Sequence, residues 1–95
     1  DQDMAGIPGS RIFMDKDEQI EIWSRPLSDG SQAVGLFNLS DETKKIAVNE
    51  EMLDIKGKFS VRNLWEQKEK GTFSGKYSSD VPSHGVVFIK VTKLD

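Results

Sequence analysis

EQIEIWSRPLSDGSQAVGLFNLS, residues 18–40, reads as two β-strands folded back on one another. Ile20, Ile22 and Ser24 fall on one face of the first run, and Glu21, Trp23 and Arg25 on the other, the two-residue period of a strand. Pro26 carries no backbone N–H and stops the ladder. Ser28, Asp29 and Gly30 supply a turn, since Asp tolerates tight backbone and Gly reaches positive φ without a Cβ clash. The return run, residues 32–39, alternates Ala33, Gly35, Phe37 and Leu39 against Val34 and Leu36. It is apolar on both faces, and such a strand expects cover on both. A small sandwich usually leaves the outside of each sheet wet. The second apolar face therefore marks either a covered surface or a central strand bearing a few exposed apolar groups.

Outward from this hairpin the same period recurs. Residues 11–15 can form a strand with Ile12 and Met14 on one face and Phe13 on the other, turning through Asp15, Lys16 and Asp17. Residues 1–11, polar and rich in Gly and Pro, read as an extended linker, with the folded domain spanning 12–95. Residues 44–49 read as a further strand of the same main set, with Ile46 and Val48 inward. Residues 50–55 form one helical turn capped by Asn49, pinned by Met52, Leu53 and Ile55 and ended by Gly57. Residues 58–65 put Phe59, Val61, Asn63 and Trp65 on one face, and residues 67–71 make a charged turn. Residues 72–81 alternate Phe73, Gly75, Tyr77 and Ser79 against Ser74, Lys76 and Ser78. The final run, 85–92, carries Val87, Ile89 and Val91 on one face and Val86 and Phe88 on the other, so it too is apolar on both. Seven to eight short strands with turns about every ten residues predict an all-β fold, an antiparallel β-sandwich with Greek-key-like connections. A closed barrel has the same strand count.

Composition narrows the function classes. The 95 residues suit one domain, 36% are hydrophobic, and 13 basic residues stand against 16 acidic ones for a net charge of −3. With the two signs interspersed and no basic stripe, no nucleic-acid partner is expected. No run approaches the roughly 20 apolar residues of a membrane span. The chain has no cysteine, so it offers no disulfide or thiolate metal site.

Residues that could carry chemistry are few. The acidic groups lie in turns: Asp15, Asp17 and Glu18; Asp41 and Glu42; Glu50 and Glu51. Segment 15–18 lacks the glycine and distant glutamate of a calcium loop, so neither metal nor cofactor is assigned. His84 is the single histidine and reads as a hydrogen-bonding residue of its turn. Asn38-Leu39-Ser40 matches the N-glycosylation sequon and also suits a turn. The aromatics remain. Trp23, Trp65, Tyr77 and Phe88 are candidates for a domain interface or a sugar-stacking platform, against the alternative of ordinary core packing.

As a set, residues 21–31 (EIWSRPLSDGS), 34–38 (VGLFN), 61–65 (VRNLW), 71–73 (GTF) and 81–86 (VPSHGV) resemble the C-terminal β-sandwich of the α-galactosidase/α-N-acetylgalactosaminidase glycoside hydrolases, family 27. Gln2-Asp3 and Gly6-Ile7 are similar to the segment by which that family's chain leaves its catalytic (β/α)8 barrel. The resemblance implies a noncatalytic accessory domain of a retaining glycosidase. Its partner would be the upstream barrel of the same chain, packed against the outward apolar residues Trp23, Val86 or Phe88. It also implies a secreted or periplasmic setting, or a lysosomal one in a eukaryote. No position matches the family's catalytic aspartates, so no catalytic residue is carried over and the isolated chain is expected to be inactive. Arg25 stands where the family commonly has lysine, and residues 49–55 are more acidic than the resemblance leads one to expect. Two rival readings follow from the residues: a carbohydrate-binding module engaging galactose-containing glycans through Trp23, Trp65 or Tyr77, and a free-standing interaction domain.

Overall fold

The computed structural model describes residues 9–94. Eight strands and one helical turn follow in order: β1 (Ser10–Asp15), β2 (Ile20–Pro26), β3 (Gln32–Asn38), β4 (Lys44–Asn49), α1 (Glu50–Leu53), β5 (Lys58–Asn63), β6 (Lys68–Ser74), β7 (Lys76–Val81) and β8 (Val86–Lys93). Six strands make one sheet in the order β1-β2-β3-β8-β5-β6, and β4 and β7 pair as a second. Every pairing is antiparallel. The core lies between the sheets. Ile22, Val34, Leu36, Phe59, Val61, Ile89 and Val91 come from the larger sheet, Ile46, Val48, Tyr77 and Val81 from the smaller, and Leu53 from α1. The all-β sandwich expected from the alternation is the fold observed.

The opening hairpin forms as read. Ile22 stands opposite Leu36 and Trp23 opposite Gly35. Its turn is closed by Leu27 N–H donating to Ser31 O at 2.8 Å and Gly30 N–H to Leu27 O at 3.1 Å, with Gly30 at φ +91°. The Asp29 carboxylate accepts from the Ser31 hydroxyl and from Ser31 N–H. Those bonds, with Lys90 Nζ 3.0 Å away, hold its carboxyl well below the usual carboxylate range.

Several expectations are corrected. The first strand starts at Ser10, two residues before the expected domain boundary; the rest of the expected linker, residues 1–8, lies outside the described residues. β1 carries a bulge between Arg11 and Phe13. The extra residue breaks the simple alternation, so Ile12 and Phe13 both reach the core while Met14 is exposed. β4 belongs to the second sheet rather than the main one: alternation tells inside from outside but not which of two facing sheets a strand joins. Asn49 caps α1, its Oδ1 accepting from Met52 N–H at 2.8 Å. The helix is ended by Asp54 in the left-handed conformation, φ 58°, and not by Gly57.

Residues 72–81 are not one strand. Gly75, at φ +89°, ends β6 in the six-stranded sheet and starts β7 in the other. The switch is fixed by Glu50 N–H donating to Gly75 O at 3.1 Å and Gly75 N–H to Glu50 Oε2 at 3.2 Å. The charged turn falls at residues 64–67, starting three residues earlier than expected, and Lys68 already belongs to β6.

The passage from β3 to β4 is held by a buried amide. Asn38, fully buried, donates from Nδ2 to Glu42 O and to Val81 O, both at 2.8 Å. Its Oδ1 accepts from Ser40 N–H at 2.9 Å and from the Ser40 hydroxyl at 2.6 Å. With all four hydrogen-bonding positions of the amide filled, the sequon at Asn38 is a structural turn whose nitrogen faces protein. His84, at φ 55°, closes the facing turn. Its N–H donates to Ser40 O at 3.2 Å and its Nε2 lies 2.9 Å from Asp41 Oδ1.

Candidate interaction face

The two strands that are apolar on both sides, β3 and β8, are neighbours in the middle of the six-stranded sheet. Their inward residues fill the core, and their outward residues meet on the face turned away from the second sheet. Register defines rows across that face, because antiparallel partners project to the same side. Trp23 lies opposite Gly35, and Gly35 opposite Phe88. One step along the strands, Arg25 lies opposite Ala33, Ala33 opposite Lys90, and Lys90 opposite Arg62. An aromatic row thus runs beside a charged one, whose three cations end against Glu69, opposite Arg62 on β6.

Gly35 lets the aromatic row close. A Cβ there would stand 2.8 Å from Phe37 Cε1 and 3.1 Å from Phe88 Cε1, distances that require a ring to move. The Phe37 and Phe88 rings meet edge to face, with centroids 6.0 Å apart and planes at 88°. This is the geometry that matches the positive edge of one ring to the negative face of the other. Gly35→Ala is expected to destabilise the chain by about 1–3 kcal/mol through overpacking, despite the better strand propensity of Ala. A urea midpoint that stayed put or rose would show that Phe37 swings aside freely.

Trp65 completes the face from an unexpected direction. Counting alternation through residues 58–65 puts it beside Phe59 and Val61, but β5 ends at Asn63. There Asn63 Oδ1 accepts from Glu66 N–H at 2.8 Å and folds residues 63–66 into a turn. Trp65 swings to the outer side and lies on Phe88, centroids 6.4 Å apart and planes 11° from parallel. It is 73% exposed. Phe88 and Trp23 are half-buried. The Trp23 indole N–H donates to Glu21 Oε1 at 3.0 Å, and Glu21 Oε2 lies 3.7 Å from an Arg11 guanidinium nitrogen. The ring's polar edge is therefore satisfied on its own strand.

Of the four aromatic candidates, the structure brings Trp23, Phe88 and Trp65 together and separates Tyr77. Tyr77 projects inward from β7, is 8% exposed, and meets the Phe73 ring edge-on at 4.8 Å. The candidacy of Tyr77 for sugar stacking falls with that burial. Gly35 and Phe37, which build the face, were not among the candidates. Their signal was present in the outward series Ala33, Gly35, Phe37 of a strand already apolar on its other side.

The acidic groups serve turns and ion pairs. Asp15 Oδ1 accepts from the backbone N–H groups of Asp17 and Glu18, each at 3.1 Å, and Glu18 lies 2.7 Å from Lys44 Nζ. That partner raises the Lys44 ammonium above its ordinary value. Glu66 and Lys70 pair at 2.8 Å, which lowers the Glu66 carboxyl and raises the Lys70 ammonium. Among the described residues no three His, Cys, Asp or Glu side chains converge as a metal site would require.

Comparison with known proteins places these features in context. Residues 17–91 match the family model described as the alpha galactosidase C-terminal beta sandwich domain. A probable alpha-galactosidase of Dictyostelium discoideum is 35% identical over 95 residues, an alignment covering 96% of this chain and 25% of the relative. The alpha-galactosidase of Cyamopsis tetragonoloba is 31% identical over 85 residues, covering 87% of this chain and 20% of the relative. Among solved structures, alpha-galactosidase I from Mortierella vinacea superposes with a TM-score of 0.82 at 31% identity, over 95% of this chain and 24% of that one. A β-L-arabinopyranosidase from Geobacillus stearothermophilus shares the fold, with a TM-score of 0.84 at 17% identity over 92% of this chain and 20% of that one. The chain spans about a quarter of the length of the first of these relatives, and less of the others.

Proposed function

As this chain belongs to the family of α-galactosidase C-terminal β-sandwich domains, we propose that it is the noncatalytic accessory domain of a longer retaining α-galactosidase-type glycosidase, where it packs on and stabilises the catalytic barrel. The observation that carries this reading is the pairing of two coverages: nearly the whole of this chain aligns with its relatives, yet only 14–25% of each curated relative is accounted for. A sandwich that is whole in itself and a minor part of its relatives is a module of a larger protein.

Residues 1–11 would then be the link to the barrel, and an extracytoplasmic compartment follows from the same reading. The test is enzymatic. The 95-residue chain is expected to release no p-nitrophenol from p-nitrophenyl α-galactoside, while the longer chain that ends in this sandwich does so. Turnover by the 95-residue chain alone would overturn the reading.

A further inference from the structure

We propose that the Asp29-Gly30 pair is a latent isoaspartate site, closed in the folded β2–β3 turn by the bonds that Ser31, Lys90 and Leu27 make to it and open in the unfolded chain. The inference stands apart from the accessory-domain reading. Asp29-Gly30 is the only Asp-Gly or Asn-Gly pair in the sequence. The glycine that gives the turn its positive φ also leaves the peptide nitrogen after Asp29 without a flanking side chain.

The chemistry is a cyclisation followed by a ring opening. Gly30 N attacks Asp29 Cγ, the amide proton and the carboxyl hydroxyl leave as water, and a succinimide ring forms. Water then adds at the main-chain carbonyl carbon of residue 29 and breaks its bond to Gly30 N. The peptide now runs through Cγ, the α-carboxylate of residue 29 is free, and nothing has been oxidised or reduced. Only the neutral carboxyl reacts in the first step, since a carboxylate has no hydroxyl to lose.

The folded turn opposes both halves of that step without steric cover. The Asp29 side chain is 55% exposed, and a Cβ added at Gly30 would meet no atom within 4 Å. Protection therefore falls to hydrogen bonds. Asp29 Oδ1 accepts from the hydroxyl and the N–H of Ser31, and Oδ2 lies 3.0 Å from Lys90 Nζ. These contacts favour the carboxylate and make the neutral acid scarce. Ser31 is buried, which fixes its hydroxyl in place. On the other side of the turn Gly30 N–H donates to Leu27 O at 3.1 Å, so the nucleophile is engaged as well. Unfolding releases all of these bonds together.

The product does not fit the turn it came from. Isoaspartate adds one carbon to the main chain inside the loop that sets Pro26 opposite Gln32, and hairpin register depends on loop length. Modification therefore turns a transiently unfolded chain into one that no longer recloses its opening hairpin.

Incubation in neutral buffer with and without guanidinium chloride tests the proposal. Isoaspartate is counted with an isoaspartyl methyltransferase and S-adenosylmethionine, and located with a protease that cuts before Asp but not before isoaspartate. The native chain is expected to accumulate it at residue 29 at least about tenfold more slowly than the denatured chain, in proportion to the scarcity of the neutral carboxyl. Equal rates would overturn the guard, and isoaspartate forming faster at another residue of the denatured chain would overturn the site. Ser31→Ala is expected to raise the native rate about fivefold and Lys90→Gln about twofold, since a hydroxyl bond to a carboxylate contributes more than an exposed ion pair. Lys90 lies on the outer face, so its variant keeps the test open if Ser31→Ala fails to fold. Wild-type rates in the folded variants would remove Ser31 and Lys90 as the guard. After dilution from denaturant the refolded pool is expected to be free of isoaspartate; its presence there in the starting proportion would overturn the loss of hairpin closure.

Discussion

Asn38→Asp lowers the unfolding free energy of the 95-residue chain by about 3–5 kcal/mol at pH 7, since it abandons two buried acceptors and buries a charge without a partner. The side-chain nitrogen of Asn38 is the donor to both Glu42 O and Val81 O at 2.8 Å. Replacing it with a carboxylate oxygen turns two hydrogen bonds into two acceptor–acceptor contacts in a fully buried site. Against a typical total of roughly 5–15 kcal/mol for a domain, that loss leaves the fold marginal. The two carbonyls belong to the β3–β4 connection and to the end of β7, so the damage falls on the joint between the sheets.

The substitution should also make stability pH-dependent, with a known sign. In the variant, a protonated carboxyl at position 38 can donate one hydrogen bond where the carboxylate can donate none, so the folded state raises its pKa above the unfolded value. Its stabilising effect is then complete below the unfolded pKa and lost as pH rises through the folded one. Urea midpoints for the variant should rise between pH 7 and pH 5 relative to wild type. A variant within about 1 kcal/mol of wild type at pH 7, where a buried unsatisfied group costs roughly 1–3 kcal/mol, would mean that the amide network contributes far less than its geometry indicates.

What the sequence made legible follows from what periodicity can carry. Alternation marked seven runs, merging the end of β6 with β7 and leaving the start of β6 to a turn, and the double-sided apolarity of β3 and β8 marked both the centre of the large sheet and its second buried-type face. Trp23 and Phe88 could be assigned outward for that reason. Alternation carries no label for the sheet, so β4 was assigned to the wrong one. It also runs unbroken through Gly75: Phe73 and Tyr77 both point inward, one from each sheet, and a period of two is kept while the chain changes sheet. Trp65 lies past the end of β5 at Asn63, where the period of two no longer says which way a side chain points. The Asx turn at Asn63 was readable in principle, but an Asn inside an alternating run weighs little until Glu66 is known to donate to it. The chemistry of Tyr77 suits sugar stacking, and only the packing shows that its ring lies between the sheets. The resemblance supplied the fold and the family, but not the rows of the outer face, which come from strand register.

Phe59→Ala is expected to cost about 3–5 kcal/mol, the range for removing a fully buried aromatic ring together with the cavity it leaves. Phe59 is the largest fully buried side chain, on β5 between β8 and β6. Its ring lies 6.4 Å from that of Phe73, its partner across β6, and Phe73 in turn contacts Tyr77 at 4.8 Å. These three rings hold together the two sides of the Gly75 switch: Phe73 stands two residues before it in the six-stranded sheet and Tyr77 two residues after it in the other. Collapse into the cavity would have to pull Phe73 inward and strain that switch, so relaxation should be incomplete and the loss should fall in the upper half of the range. Phe59→Leu, which keeps most of the volume, is expected to cost less than half as much. Chemical denaturation of both variants decides it, with the urea m value unchanged because the surface exposed on unfolding stays nearly the same. A loss below about 1 kcal/mol for the Ala variant, far under the usual range for such deletions, would show that β6 and β7 close over the gap and that the three rings are not a rigid joint.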